Sequence, residues 1–318
     1  MFFSQQVITG IILGTLAGAF ILNLTADLLN LKHIEPNLPE EFKDHFDTRT
    51  YLKSQNYLKT NTRFGLVVSA VDLALLLIFW FAGGFAWVDG FVRSIGFGSI
   101  ISGLLFTGIL ILLKMAASLP FSIYSTFVIE EKFGFNKTTP RVFAADLVKS
   151  IILGAVLGGT LLALILGFLE WGGPQAWAMC WAVSAVFLLA VQYIVPTWIM
   201  PLFNKFTPLE DGPLKTAIFD YADSIDFSLA NVFVMDGSKR SSKSNAFFTG
   251  FGKNKRIVLF DTLIKEQSVS ELVAVLAHEM GHFKKRHILK RMIWGILQMG
   301  FIFYLISLFI SHEPLFHA

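Results

Sequence analysis

VAVLAHEMGHFKKRH, residues Val273–His287, is the stretch on which the reading of this chain turns. Read as a helix, it stacks residues four apart on one face, so the imidazoles of His278 and His282 point the same way. Two histidines at that spacing, with a glutamate after the first, form the H-E-x-x-H pattern. It gathers one zinc ion and places Glu279 to take a proton from an activated water, the arrangement of a metallopeptidase. The helix opens on Ser268-Val269-Ser270-Glu271, a capping box in which hydroxyl and carboxylate satisfy free backbone donors reciprocally. Leu272, Val275, Leu276 and Met280 give it an apolar face. Lys284, Lys285 and Arg286 mark the approach to a membrane surface, and the helix is expected to run straight into the apolar segment that follows.

That segment is one of six. Hydrophobic residues make up 54% of the 318 residues, charged residues only 15%, and the mean hydropathy is +0.61. A soluble domain carries about a quarter charged residues, so the composition predicts an α-helical integral membrane protein. Val7–Leu29, Phe64–Val88, Phe97–Leu119, Leu147–Phe168, Ala176–Met200 and Ile293–Ile310 are each long and apolar enough to cross about 30 Å of hydrocarbon. The first is read as a retained span. MFFSQQ carries no positive charge ahead of the apolar run, and no small-residue cleavage site closes it.

Charge in the connections sets the expected orientation. Lys32, Lys43, Arg49, Lys53, Lys59 and Arg63 lie between spans one and two, and Lys132, Lys137, Arg141 and Lys149 around the connection between three and four. With the long connection between five and six, this side holds 24 Lys and Arg, against Arg93 alone on the other. Positive charge marks the cytosolic side, so the H-E-x-x-H helix is expected at the cytosolic face of a bacterial inner membrane or of the endoplasmic reticulum. The net charge of +3 carries no further information, and no basic cluster with interleaved aromatics suggests a nucleic-acid partner. Cys180, the sole cysteine, lies in an apolar span and reads as a small buried residue.

Two parts follow: a membrane part, residues 1–200, with five spans, and residues 201–318, a polar module followed by the sixth span. The module reads as a small α/β unit. Gly212–Asp226 is helical, and Asn231–Met235, Ala246–Thr249 and Arg256–Phe260 are strands. A polar loop, Gly237–Asn245, precedes the second strand, and the turn GFGKNK separates the second from the third. Charged residues in the spans need an account, because they are costly against lipid. Asp27, Glu130, Glu131 and Asp146 lie near span ends, where snorkelling accounts for them. Asp72 and Lys114 do not, and argue for a polar interior. A transporter also has one, but has no need of the H-E-x-x-H helix.

Three more stretches carry a resemblance: TFVIEEKFGFNKTT (Thr126–Thr139), PLFNKFTPLEDG (Pro201–Gly212) and GSKRSSKSNAFFTGFGKNKRIVLFDTLI (Gly237–Ile264). With the H-E-x-x-H helix, they resemble the type I CAAX prenyl protease family of integral-membrane zinc metallopeptidases. The resemblance implies a multi-span helical barrel of seven tilted helices around a water-filled chamber, with an α/β zinc-peptidase module on the cytosolic side. It implies one Zn2+ per chain held by His278 and His282, and Glu279 as general base. Asn245, Ala246 and Phe247 match the family's edge strand that pairs with the substrate backbone, which physically is β-augmentation. The implied substrate is the C-terminus of a peptide or prenylated protein, cut to remove the three residues after a prenylated cysteine. Lys243 departs from the pattern, which often carries His there, and bears on substrate preference.

A catalytic zinc takes a third protein ligand, in this family a Glu on a helix beyond the sixth span. His287 lies about 140° round a continuous helix from His282. On the same helix Glu313 stands about 46 Å away, and His312 and His317 fail likewise; Glu130 or Glu131 is a weaker candidate. The chain is therefore expected to be an N-terminal portion of a longer protein, with little or no peptidase activity alone. Alternatives are a membrane quality-control zinc protease, which shares the zinc helix and the N-A-F strand, and an inactive truncated form or scaffold. Five spans ahead of the module and the Thr126–Thr139 stretch favour the CAAX type.

Overall fold

Helices long and apolar enough to cross a membrane form where the hydropathy places them, and among the described residues there are six. The computed structural model describes residues 5–227, 229, 231–249 and 256–309. The chain divides into two compact units, one running through Phe133 and taking in Leu308, the other Gly134–Ser307.

In the first unit α1 (Gln5–Lys32) is span one, and α2 (Thr48–Phe81), capped by the Asp47 carboxylate on the Thr50 amide, contains span two. Span two ends seven residues before Val88, where the hydropathy alone carries it. Gly83, at φ +76°, takes the left-handed conformation that terminates a helix. Residues Gly84–Ser94 form a separate helix, α3, whose Val88 and Val92 are buried. Span three is α4 (Ser99–Tyr124), prolonged by a π-helical turn through Glu130 a few residues after Pro120. Asp72 and Lys114 form an ion pair between spans two and three, so each answers the other's cost. Glu130 accepts the Tyr57 hydroxyl.

In the second unit, α5 (Pro140–Leu153) and α6 (Gly159–Trp171) form span four, joined by a π-helical turn over Gly154–Gly158. Span five is α7 (Ala176–Ile194), continued past Pro196 to α8 (Met200–Phe203). Ala176, Cys180 and Ser184, four apart on α7, are buried, and α6 packs on α7. Small side chains at this spacing let two membrane helices approach closely, and Cys180 is the buried residue its sequence position suggested.

The polar module follows. Strands β1 (Phe206–Pro208), β2 (Asn231–Met235), β3 (Ala246–Thr249) and β4 (Arg256–Phe260) form one sheet in the order β1-β2-β4-β3. β2 runs parallel to β4, and β3 lies antiparallel to β4 with Ala246 opposite Leu259 and Phe247 opposite Val258. The helices are α9 (Pro213–Ser224), α10 (Asp261–Glu266) and α11 (Val269–Lys284). Their apolar faces close over the sheet in a core that includes Ile218, Ala222, Ile257, Leu259, Leu272, Leu276 and Met280. β1 and α10 are too short to announce themselves by periodicity.

The expected continuous helix into span six does not form. α11 ends at Lys284, and α12 (His287–Phe309) starts anew after Arg286, which sits at φ +55°. Span six is then tied to span five. Trp181 Nε1 donates to the Ile296 carbonyl at 2.8 Å, and the indole lies so close to Gly300 that a Cβ there would meet it at 2.8 Å. Ile310, the expected end of that span, lies outside the described residues, as does the GFGKNK turn.

Candidate active site

The capping box forms as the sequence predicts: the Ser268 amide and hydroxyl both donate to the Glu271 carboxylate, at 2.7 and 2.6 Å. Those bonds hold the Glu271 carboxyl below its ordinary range. From this start Leu272, Leu276 and Met280 fall four apart and sink into the core, while Val275 stands exposed on the flank instead of joining them. That rotation turns His278 and His282 outward, with Glu279 half-buried between them. His278 Nε2 and His282 Nε2 stand 3.0 Å apart, their rings edge to face. Two imidazole nitrogens on one tetrahedral zinc, each at about 2.0–2.1 Å, stand roughly 3.3 Å apart. The pair therefore fits a shared metal ion.

No described residue is gathered there as a third donor. Among the described residues no group of three or more His, Cys, Asp and Glu side chains is placed to hold a metal. Glu313, His312 and His317 lie outside the described residues. His287 is beside the pair, contrary to the expectation from helical phase, because the break at Arg286 swings it back. Its Nδ1 is 2.8 Å from Nδ1 of His282, the ring nitrogen opposite the one that faces His278. The two nitrogens of an imidazole point apart, so His287 does not reach an ion on the His278 side.

Glu279 and His282 open on a cavity of about 600 Å³ within the second unit. Phe247 and Phe248 of β3 form one wall, Leu188 and Gln192 of span five another, and His287, Ile288 and Arg291 at the start of α12 a third. β3 is the terminal strand of the sheet, so its outer edge faces no other strand of it. Of the three residues expected to meet substrate, Phe247 lines the cavity. The Ala246 side chain is in the module core, and Asn245 Oδ1 accepts the Ala246 amide at 2.9 Å.

The stretches that carry the sequence resemblance meet at the loop that leads into this strand. Arg240 donates to both Asp146 oxygens, at 2.7 and 2.9 Å, to Asn204 Oδ1 and to the Phe203 carbonyl. Its own carbonyl accepts the Lys137 amide at 3.0 Å, and the Ser242 amide donates to Phe135. Asp146, which its position assigned to snorkelling, is therefore an ion-pair partner. Lys243 Nζ sits 4.9 Å from the Phe135 ring centre, a cation–π contact. Asp261 fixes the other end of the loop, accepting the Ser238 amide and hydroxyl and the Thr262 amide. Burial pushes its carboxyl up, but these three donors outweigh it and leave the group below its ordinary 3.8. Sequence reasoning missed Gln192, Arg291 and the contact of His287; only His287, a further histidine beside the motif, carried a signal.

Comparison with known proteins agrees with this architecture. Residues 27–205 match the family described as "CAAX prenyl protease N-terminal, five membrane helices", and residues 208–316 match "Peptidase family M48". The chain belongs to this family of membrane peptidases. It is 42% identical over 289 residues to CAAX prenyl protease 1 of Saccharomyces cerevisiae, covering 87% of this chain and 63% of that one. It is 38% identical to the probable CAAX prenyl protease 1 of Schizosaccharomyces pombe, again covering 87% of this chain, and 61% of the relative. The chain thus spans less than two thirds of the length of these two relatives. The crystal structure of S. mikatae Ste24p superposes with a TM-score of 0.90 at 36% identity, covering 95% of this chain and 72% of that one.

Proposed function

We propose that this chain carries the membrane part and the zinc-binding helix of a zinc metalloendopeptidase of the CAAX type, acting on a peptide bond near the C-terminus of a prenylated substrate. One observation carries the reading: two imidazole nitrogens converge beside a glutamate at a cavity walled by an edge strand. His278 and His282 hold the metal through Nε2. Zinc, when bound, supplies Lewis acidity for hydrolysis at neutral pH. Glu279 accepts the proton of the attacking water and returns it to the leaving amine. The β3 edge at Asn245, Ala246 and Phe247 takes the substrate backbone as an added strand, and the cavity beside Phe247 and Phe248 receives its side chains. A third ligand completes a tetrahedral site, and no described residue supplies it.

The same reading divides the chain into a membrane part, residues 1–200, and a peptidase part, residues 201–318. It places the module on the cytosolic side, as the distribution of Lys and Arg favours. The yeast relatives favour the endoplasmic reticulum over a bacterial inner membrane. The partners are the bilayer and the substrate C-terminus, with no nucleic acid.

The test uses the full-length protein in detergent with a peptide ending in a prenylated cysteine and three further residues. Release of the intact tripeptide is read by mass spectrometry. Glu279→Gln should lower the rate by about 10²–10⁴-fold with zinc content retained; undiminished cleavage removes Glu279 from the base role. Cleavage of unprenylated, misfolded membrane proteins alone supports the quality-control alternative.

A further inference from the structure

The contact between His282 and His287 has a chemical direction. A neutral imidazole has one N–H donor and one lone-pair acceptor. If Nε2 of His282 gives its lone pair to a metal, its proton is on Nδ1, and Nδ1 then donates to the nitrogen 2.8 Å away, Nδ1 of His287. That nitrogen in turn has to be the acceptor, so His287 carries its own proton on Nε2. One tautomer of each ring satisfies the whole row. The backbone is arranged to make this contact. Five residues along an uninterrupted helix turn a side chain about 140° away. Arg286, at φ +55°, takes a left-handed conformation that L-residues adopt seldom, and the α11–α12 break at this residue brings the His287 ring to 5.0 Å from that of His282, edge to face.

We infer that His287 is a positioning residue: it accepts the Nδ1 proton of His282, fixing the tautomer and ring orientation that present Nε2 to the metal. The inference rests on the reading that His278 and His282 are metal ligands. It adds an orienting partner from the next helix, in the place usually held by a carboxylate, a backbone carbonyl or water. His287 does not enter the coordination sphere, because its partner nitrogen is the one turned away from His278.

Zinc affinity of the full-length protein in detergent, measured by competition with a chromophoric chelator, tests the assignment. His287→Ala should weaken zinc binding by about 10–100-fold. His287→Asn, whose Oδ1 sits near the place of Nδ1 and can accept the same proton, should stay within about threefold of the native value. An unchanged affinity in His287→Ala overturns the inference, and so does an Asn variant that falls as far as the Ala variant. The visible spectrum of the cobalt-loaded protein is the second readout. At saturating Co2+ the Ala variant should show altered ligand-field bands and the Asn variant native ones; native bands in the Ala variant overturn the assignment whatever its stability. His282→Ala separates the two levels of the argument. If it binds zinc as tightly as the native protein, the metal site itself has been misread. If it loses zinc while His287→Ala does not, only the positioning role fails.

Discussion

Helices α11 and α12 are neighbours in the chain, separated by Lys285 and Arg286, yet they treat apolar residues in opposite ways. On α11, Leu272, Leu276 and Met280 are at most 1% exposed, packed into the module core. On α12, Trp294 is 73% exposed and Phe301 61%, and Gly300 is its buried residue. The same side-chain chemistry serves both because the surroundings change between them. α11 is covered by protein and its polar face meets water, whereas α12 turns its apolar surface to hydrocarbon. The site residues His278, Glu279, His282 and His287 cluster where one regime gives way to the other. The proposed cleavage of a lipid-modified chain would need a wet metal site within reach of the bilayer, and the His278–His282 pair lies where these two surroundings meet.

The contrast should be largest in stability. Leu276→Ala should cost about 2–5 kcal/mol, since it empties a packed core, while Leu297→Ala on α12, half-exposed to lipid, should cost under about 0.5 kcal/mol, in line with a surface substitution. Unfolding of the solubilised protein followed by intrinsic fluorescence compares the two; equal losses would mean that the two helices do not differ in how they bury apolar residues. A smaller effect is expected at the junction. Arg286→Gly should be neutral or stabilise by up to about 1 kcal/mol, because glycine takes positive φ without a Cβ clash, and a β-branched Arg286→Val should destabilise. If both variants behave alike, the left-handed residue is not what separates the helices. The smallest effect belongs to the loop that leads into β3. The Asp261 carboxyl titrates below its ordinary value in the folded protein. Its contribution to stability is therefore full above about pH 4, the unfolded value, and declines as pH falls through the folded one. Native protein should lose stability in that acid range faster than Asp261→Asn, and parallel profiles would remove Asp261 from the account.

The spans, the three longer strands, the capping box and the H-E-x-x-H face were all legible in the sequence, because each rests on local periodicity or composition. What was not legible depended on partners far along the chain. Asp146 reads as a span-end residue until Arg240, 94 positions later, takes both of its oxygens. His287 was set aside on the phase of a continuous helix. Lys285 and Arg286 are ordinary helix formers, and nothing local predicts that Arg286 turns left-handed. The end of span two was overrun for a related reason: hydropathy continues through Gly83 and Gly84, but backbone conformation does not. Asn245 and Ala246 entered the site by resemblance, and their side chains are occupied by the strand start and the core.

The bond from Trp181 to the Ile296 carbonyl, with the indole seated on Gly300, has a mechanical consequence. Spans five and six are joined partway along their length, so the two cavity walls they supply, Leu188 and Gln192 on one and Ile288 and Arg291 on the other, share one anchor. The opposite wall is β3, which pairs with one neighbouring strand of the sheet. On the proposed reading, a substrate chain would add to the one wall of the cavity that this contact does not tie down.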